Sequence, residues 1–200
     1  MINLDQVTLI TPNDEVIGSM DKIEAHRGEG KLHRAISVYL FKKTEDSVDL
    51  LIQQRSVKKI VGAGMWANTV CGNVRPTESY EECAYRRLKE ELGVTKVEIQ
   101  PMYKFQYQVR CNEEFSENEL DQVFVGWYDE DVSLNPDEAQ DYKWINWSEL
   151  QEKATVSELK KEEFNTKQIS INNQSFTLAP WFVWMLGDEK LLSAINSYAK

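Results

Sequence analysis

The sequence predicts a mixed α+β or α/β sandwich, in which helices cover a β-sheet. Several short apolar runs separated by turn residues are typical of strands, and one long segment with helical periodicity is typical of an amphipathic helix. The chain has 200 residues, of which 42% are apolar. This composition supports one sizeable core, so we expect a single domain over residues 1–200.

The first third of the chain is expected to be mainly strand, because its apolar runs are broken by Pro, Asn, Asp or Gly. The expected elements are, in order, a strand, turn and second strand over 7–20, a polar helical turn within 20–30, a hairpin made by 33–43 and 48–56, and a glycine-interrupted loop leading into a short strand over 61–72.

The clearest helix is expected over residues 78–94. Apolar side chains recur there at the spacing of one helix face, and Gly93 stands where a glycine commonly ends a helix. The residues of that face are Tyr80, Ala84, Leu88 and Leu92. Glu91 borders the same face, so we expect its carboxylate to lean toward the interior.

The rest of the chain is expected to alternate strands with helices. The expected elements are strands over 103–111 and 118–129, a strand running into a Ser-capped helix over 141–151, a charged helix or loop over 152–165, a hairpin over 169–178 around Asn172-Asn173, and a C-terminal helix from Ala179 with a break near Gly187. These assignments rest on apolar periodicity and turn residues.

Composition restricts the function classes. A net charge of −10 argues against a broad nucleic-acid-binding surface, and no stretch approaches the ~20 apolar residues of a membrane span. The N-terminus lacks the basic and apolar regions of a signal peptide. The three cysteines (Cys71, Cys83 and Cys111) fit neither a zinc motif nor a disulfide framework. We therefore expect free thiols, no membrane or nucleic-acid partner, and a cytoplasmic location.

Residues 72–94 carry a motif for phosphate chemistry. They read G-x5-E-x7-R-R-L-K-E-E-L-G-V, which resembles the Nudix box, G-x5-E-x7-R-E-U-x-E-E-x-G-U, where U is a bulky aliphatic residue. The resemblance implies a Nudix-type α/β/α sandwich with a mixed β-sheet and a loop-helix-loop at the box. It departs from the pattern only at Arg87, where the usual residue is Glu.

The chemistry of this segment agrees with a diphosphate ligand. A loop that enters a helix N-terminus favours anions, and a magnesium ion bridging to a diphosphate would balance a buried Glu91. Arg87 replaces a carboxylate that hydrolases of the family use to hold metal and activate water, so we expect it to bind phosphate. The alternative interpretation is a surface helix with Arg86–Glu90 and Arg87–Glu91 ion pairs.

Further motifs narrow the resemblance. "HRGEGKLHRA" (26–35), "MWANTVCGN" (65–73), "ENE" (117–119) and "APWFVWM" (179–185) occur in this order. Together they resemble the type I isopentenyl-diphosphate isomerases over about residues 18–186. That family implies conversion of isopentenyl diphosphate to dimethylallyl diphosphate by protonation and deprotonation of the allylic system.

The resemblance assigns catalytic roles to four residues. Protonating an unactivated alkene creates a tertiary carbocation, so the pocket must be dry and must hold an acid and a base on opposite faces. Cys71 and Glu119 are the expected proton-transferring groups. Trp181 is expected to lay its indole face against the cation, and Tyr107 to support Glu119 through a hydrogen bond.

The resemblance also assigns metal and phosphate ligands. A second divalent ion, Mn²⁺ or Zn²⁺, would be held by His26, His33, Glu117 and Glu119, and Mg²⁺ would be held at Glu91. The family pattern Gly-His-Pro is here Gly72-Asn73-Val74, so Asn73 replaces a third imidazole with a weaker oxygen donor. We expect the site to prefer Mg²⁺ or Mn²⁺, to bind any metal weakly, or to be lost. The positions that match the family's diphosphate ligands are Lys22, Arg55, Lys59 and Arg87.

Three functions stay open from sequence. The first is an isomerase of a prenyl diphosphate, acting as a monomer or homodimer. The second is a Nudix pyrophosphohydrolase of a nucleoside or prenyl diphosphate, which Arg87 disfavours. The third is a catalytically silent diphosphate-binding module, for which Asn73 is the only argument.

Overall fold

The computed structural model describes residues 6–154 and 165–199, and within them it has eleven strands and five helices. The strands are β1 (Gln6–Ile10), β2 (Val16–Asp21), β3 (His33–Lys43), β4 (Val48–Arg55), β5 (Trp66–Ala67), β6 (Val70–Asn73), β7 (Ile99–Arg110), β8 (Ser116–Trp127), β9 (Ala139–Asn146), β10 (Lys167–Ile171) and β11 (Gln174–Leu178). The helices are α1 (Lys22–His26), α2 (Tyr80–Leu92), α3 (Trp147–Ala154), α4 (Pro180–Gly187) and α5 (Glu189–Tyr198).

Strand β3 lies at the centre of the sheet. It pairs in parallel with β8, which places His33 opposite Glu119, and antiparallel with β6 on its other edge, which places Ser37 opposite Cys71. The far edge of β8 pairs antiparallel with β7, and Tyr107 lies opposite Glu119 there. Backbone pairing alone therefore brings together residues that are far apart in the chain.

The remaining strands extend the sheet outward. Strands β3 and β4 form the expected hairpin, and β4 also pairs antiparallel with β9 and β5. The β10–β11 hairpin joins through a parallel bridge between Leu178 and Trp66. Asn172 and Asn173 both have positive φ angles, 50° and 61°, as a two-residue type I′ turn requires. The sheet is mixed, as predicted.

Helices cover both faces of this sheet. Alternate residues of β3 point to opposite sides, so Ile36 and Val38 join a core with α2, while Tyr39 and Phe41 join a second core with α3, α4 and α5. The side chain of each of these four residues is 1% exposed or less. This arrangement confirms the predicted α/β/α sandwich.

Helix α2 is closed at both ends by local hydrogen bonds. Ser79 Oγ accepts a bond from the Glu82 amide (3.1 Å), and the Glu82 carboxylate accepts one from the Ser79 amide (2.8 Å). At the other end Gly93 has φ 67° and its amide donates to the Lys89 carbonyl. These caps satisfy backbone groups that the helix itself leaves unpaired.

One local prediction was wrong. The sequence predicted that a serine caps α3, but the side chain of Asn146 accepts the bond from the Glu149 amide at 2.8 Å. Helix α3 begins at Trp147 and ends at Ala154, so Ser148 is already helical. Of the charged segment predicted over 152–165, residues 155–164 lie outside the described residues.

The predicted break in the C-terminal helix is confirmed. Helix α4 ends at Gly187, and Asp188 caps α5 by accepting a bond from the Leu191 amide at 2.9 Å. Within residues 6–154 and 165–199, no helix combines the length and the apolar character needed to cross a membrane.

We expect Ser79→Ala to lower the free energy of unfolding by about 1 kcal/mol, because it removes the side-chain acceptor at the start of α2. Ser79→Asn keeps an acceptor at the same position and should stay close to the unchanged protein. Urea unfolding followed by circular dichroism measures both. Equal losses in the two variants would show that the cap contributes nothing.

Candidate active site

Two histidines and two glutamates form a buried cluster at one end of β3 and β8. The ligand atoms of His26, His33, Glu117 and Glu119 all lie within 4.8 Å of one another. Glu117 Oε2 is 2.8 Å from His26 Nε2, and Glu119 Oε1 is 3.4 Å from His33 Nε2. Glu117 and Glu119 reach the same cluster because side chains alternate along a strand, as the sequence predicted.

The orientation of both imidazole rings is fixed by backbone carbonyls. His26 Nδ1 lies 2.6 Å from the Lys22 carbonyl oxygen, and His33 Nδ1 lies 2.7 Å from that of Lys31. When a ring is neutral, this contact places its proton on Nδ1 and leaves the Nε2 lone pair available to a metal ion. This is how metal-binding histidines are usually held. The donor set of two imidazoles and two carboxylates fits Mn²⁺ or Zn²⁺.

Asn73 reaches the same cluster. It pairs with Ala35 across β6 and β3, and its Nδ2 lies 2.9 Å from His33 Nε2 and donates to Glu119 Oε1 at 3.2 Å. A half-turn of the terminal amide would place its carbonyl oxygen at the same point. The side chain is therefore positioned as a ligand would be, with a harder donor atom than imidazole.

The charges of the cluster are strongly coupled. Burial disfavours charge on His26, but Glu117, together with Glu119 and the Lys22 carbonyl, outweighs burial and raises the pKa of His26 to about 9. Burial acts on Glu117 as well, but His26 lowers the pKa of that carboxyl to about 2. Burial and the negative charge of Glu117 raise the pKa of Glu119. A divalent cation would relieve this repulsion between the carboxylates.

Cys71 and Glu119 lie on the two strands that flank β3. The Cys71 thiol donates to Asn68 Oδ1 at 3.0 Å, and Glu119 Oε2 accepts a 2.5 Å bond from the Tyr107 hydroxyl. Burial, together with the negative charge of Asp121, raises the pKa of Cys71 well above its usual range, and Glu119 adds to that effect. The thiol therefore stays protonated in this pocket.

Two buried polar residues near Cys71 were not predicted from the sequence. Asn68 is fully buried and its Nδ2 donates to the carbonyls of Val38 (3.2 Å) and Val70 (3.0 Å), so its oxygen faces the thiol. Asp121 is also fully buried and accepts a 2.7 Å bond from the Ser37 hydroxyl.

A signal for Asp121 was present in the sequence. It continues the alternation of Glu117 and Glu119 along one face of a strand, so period-2 spacing could have placed it near them. No comparable signal existed for Asn68, because its role depends on how the loop before β6 turns.

Trp181 lies in the first turn of α4 and is 4% exposed. The guanidinium carbon of Arg55 is 5.0 Å from the centroid of its ring. A Cβ added at Gly62 would lie 2.6 Å from the indole, so only glycine lets the 61–64 loop pack there. Cys71 packs against the apolar cluster that contains Trp181 and Tyr107.

The four predicted phosphate ligands are brought together. Lys22 as a whole is exposed to solvent. Its ammonium group is nevertheless desolvated, and this desolvation and the positive charges nearby lower the pKa of Lys22. Those charges belong to Lys59, Arg87 and Arg55. The cluster therefore concentrates positive charge on a protein whose net charge is −10, and its use as a diphosphate site stays a prediction.

Glu91 lies beside this basic cluster and is 1% exposed, which confirms that it points inward. Its carboxylate accepts bonds from Gln53 Nε2 (2.6 Å) and Arg87 Nε (2.8 Å). Within residues 6–154 and 165–199, the cluster of histidines and glutamates does not include Glu91. A Mg²⁺ ion at Glu91 stays a prediction.

The ion pairs of the alternative interpretation also exist. Arg86 donates to Glu90 at 3.0 Å, and Arg87 lies 2.7 Å from Glu91. Only the Arg87–Glu91 pair is buried, with side chains 15% and 2% exposed. The Arg86–Glu90 pair is partly exposed, with side chains 17% and 37% exposed. A Cβ at Gly72 would lie 2.5 Å from Arg87 Cγ, so the first glycine of the box makes room for this arginine.

Comparison with known proteins identifies the family. The NUDIX domain family matches residues 31–165. Isopentenyl-diphosphate Delta-isomerase 1 from Aromatoleum aromaticum is 45% identical over 143 residues, which cover 71% of this chain and 77% of that protein. An isopentenyl-diphosphate Delta-isomerase from Serratia proteamaculans is 35% identical over 184 residues, covering 92% of this chain and 90% of that protein.

Solved structures support the fold. The crystal structure of DR0079 from Deinococcus radiodurans aligns with a TM-score of 0.59 at 22% identity, covering 74% of this chain and 86% of that one. A Nudix hydrolase from M. smegmatis, RenU, aligns with a TM-score of 0.56 at 13% identity over 96% of both chains. The sheet, the helix of the box and the isomerase relatives agree, and the chain belongs to the NUDIX family and, within it, to the isopentenyl-diphosphate Delta-isomerases.

Proposed function

We propose that this chain converts isopentenyl diphosphate to dimethylallyl diphosphate, with Cys71 and Glu119 as the proton-transferring groups. The observation that carries the proposal is the placement of these two residues on β6 and β8, the strands that flank β3. Glu119 is buried and Cys71 is half-buried, and the charge of Glu119 contributes to the raised pKa of Cys71. A carbocation needs such a dry pocket, because water would trap it.

The proton balance requires both groups. One adds a proton to the terminal carbon of the alkene, which leaves a positive charge on the tertiary carbon. The other removes a proton from the carbon on the far side of that centre, and the double bond re-forms there. The acid donates one proton to the substrate and the base accepts one proton from it, so the composition of the substrate does not change.

Other residues support the pair. Tyr107 fixes the Glu119 carboxylate through its 2.5 Å bond, and Asn68 fixes the thiol of Cys71. Trp181 offers an aromatic face to the developing cation. Lys22, Arg55, Lys59 and Arg87 hold the diphosphate at the mouth of the pocket.

Two divalent ions complete the proposal. His26, His33, Glu117, Glu119 and the Asn73 amide would hold Mn²⁺ or Zn²⁺, and Glu91 would contribute to a Mg²⁺ site shared with the diphosphate. Bound metal supplies positive charge that offsets the carboxylates and the diphosphate oxygens.

The hydrolase alternative is disfavoured by Arg87, whose guanidinium stands where hydrolases of the family carry a carboxylate. Incubation with isopentenyl diphosphate and separately with a nucleotide panel discriminates the alternatives. Allylic product without nucleotide hydrolysis supports the isomerase, whereas diphosphate binding without turnover of any substrate supports a silent module. The single-domain organisation, the monomer or homodimer, the cytoplasmic location and the absence of nucleic-acid or membrane partners stay predictions.

We expect Cys71→Ala and Glu119→Gln each to abolish isomerisation while the fold is retained, because each removes one of the two proton-transferring groups. Formation of allylic product is the measurement, and circular dichroism checks the fold. Cys83→Ala is the matched control and should turn over nearly as the unchanged protein does. Substantial turnover in either test variant would remove that residue from the mechanism.

We expect Trp181→Leu to lower kcat by about 30-fold with little change in KM, because a desolvated cation–π interaction is worth roughly 2 kcal/mol and exists only once the cation forms. Trp127→Leu is the control: Trp127 is 36% exposed and lies at the opposite end of β8 from Glu119. A change confined to KM would mean that Trp181 only shapes the pocket.

We expect Asn73→His to tighten Mn²⁺ binding by about tenfold, because imidazole is a better donor to this ion than an amide oxygen. Calorimetric titration of both proteins at one pH measures the dissociation constant. Asn13→His adds an imidazole to the exposed β1–β2 turn and controls for adventitious binding. Unchanged affinity in Asn73→His would show that this position does not face the ion.

A further inference from the structure

We propose that Glu138 is an internal anion of the basic cluster, occupying a place that a diphosphate oxygen takes and thereby weakening diphosphate binding. The inference rests on the proposed function, since it takes Lys22, Arg55, Lys59 and Arg87 as the diphosphate site. It assigns to Glu138 a role in setting substrate affinity.

The contacts of Glu138 resemble those of a bound phosphate oxygen. Its Oε2 accepts a 2.7 Å bond from Arg87 Nη2 and a 2.8 Å bond from Lys59 Nζ. One oxygen thus receives two cationic donors, which is the pattern that Arg and Lys present to phosphate. Its side chain is 22% exposed, so solvent, and a ligand, can approach it.

The carboxylate is charged in this position. Burial favours its neutral form, but Arg87 and Lys59 outweigh burial and lower the pKa of Glu138 to about 2. A second negative group that enters the cluster is therefore repelled by the negative charge of Glu138. Such juxtaposition is costly at short range in a partly desolvated site.

The backbone keeps Glu138 in place. Its carbonyl oxygen accepts a 2.9 Å bond from the Ser56 amide, and its own amide donates to the Asn135 carbonyl at 2.9 Å. The Ser56 hydroxyl also donates to the Pro136 carbonyl at 2.8 Å. The loop after β4 and the loop before β9 are therefore joined, and Glu138 stays beside the basic cluster as part of the fold.

As a consequence, donors of the basic cluster have a hydrogen-bond acceptor even without a ligand. Arg87 and Lys59 have a partner before the diphosphate arrives, and the ligand must replace Glu138 as the acceptor for both. This exchange reduces the free energy of binding that the diphosphate gains from each contact with Arg87 and Lys59. Weaker binding of diphosphate also speeds release of a product that carries the same group as the substrate.

The test is calorimetric titration of the full chain with inorganic pyrophosphate at one fixed Mg²⁺ concentration. We expect Glu138→Gln to lower the dissociation constant by about tenfold, because the amide keeps the shape but removes the like charge. Asp137→Asn is the matched control. It makes the same charge change one residue away, where Asp137 pairs with exposed Lys58, and should change the constant by less than about twofold.

Arg87→Gln separates the inference from the function on which it rests. Weaker pyrophosphate binding in Arg87→Gln, with tighter binding in Glu138→Gln, supports both. Weaker binding in Arg87→Gln with unchanged or weaker binding in Glu138→Gln overturns the role of Glu138 alone. Failure of the unchanged protein to bind pyrophosphate overturns the diphosphate site and the inference together. Thermal unfolding of each variant confirms that the compared proteins are folded, and Glu138→Ala replaces Glu138→Gln if the latter is not.

Discussion

The parallel pairing of β3 with β8 is the constraint on which the site depends. It places His33 beside Glu119, and the strands that carry Cys71, Asn73 and Tyr107 pair directly with one of these two strands. Strand β6 brings Cys71 and Asn73 to the opposite edge of β3, and β7 brings Tyr107 to the opposite edge of β8. A shift of one residue in this register would turn Glu117 and Glu119 to the opposite face of the sheet and dissolve the cluster.

The second organising feature is the pairing of buried charge. An isolated ion in this interior would be costly, and each charged group has a partner of opposite sign or a fixed hydrogen bond. His26 offsets Glu117, and Arg87 offsets Glu91. The two groups of charges occupy different positions around the pocket. One is rich in carboxylates and suits a cation, whereas the other is rich in Lys and Arg and suits an anion.

Much of the fold could be predicted from local patterns. The β3–β4 hairpin, helix α2 with Gly93 at its end, the Asn172-Asn173 turn and the break after Gly187 all follow from periodicity and turn residues. The cap of α3 was assigned wrongly, because both Asn146 and Ser148 are good capping residues and sequence alone does not show which backbone position starts the helix. The pairings outside the hairpins, such as β3 with β8 and with β6, were not predicted, since contacts between distant segments leave no periodic signal within either one.

The sequence by itself determined the chemistry available to this protein: the box with Arg87, the two histidines, the alternating carboxylates of "ENE" and the unusual Asn73. These are properties of residue type and spacing, which short-range geometry converts directly into strand and helix faces. Only the tertiary structure decided that Asn73 Nδ2 lies beside His33 Nε2, that the Cys71 thiol donates to Asn68 near the charge of Asp121, and that Glu138 accepts bonds from Arg87 and Lys59. Each of these contacts joins segments at least one turn or strand apart, and their distance in space is set by sheet register and loop packing, which the local sequence does not encode.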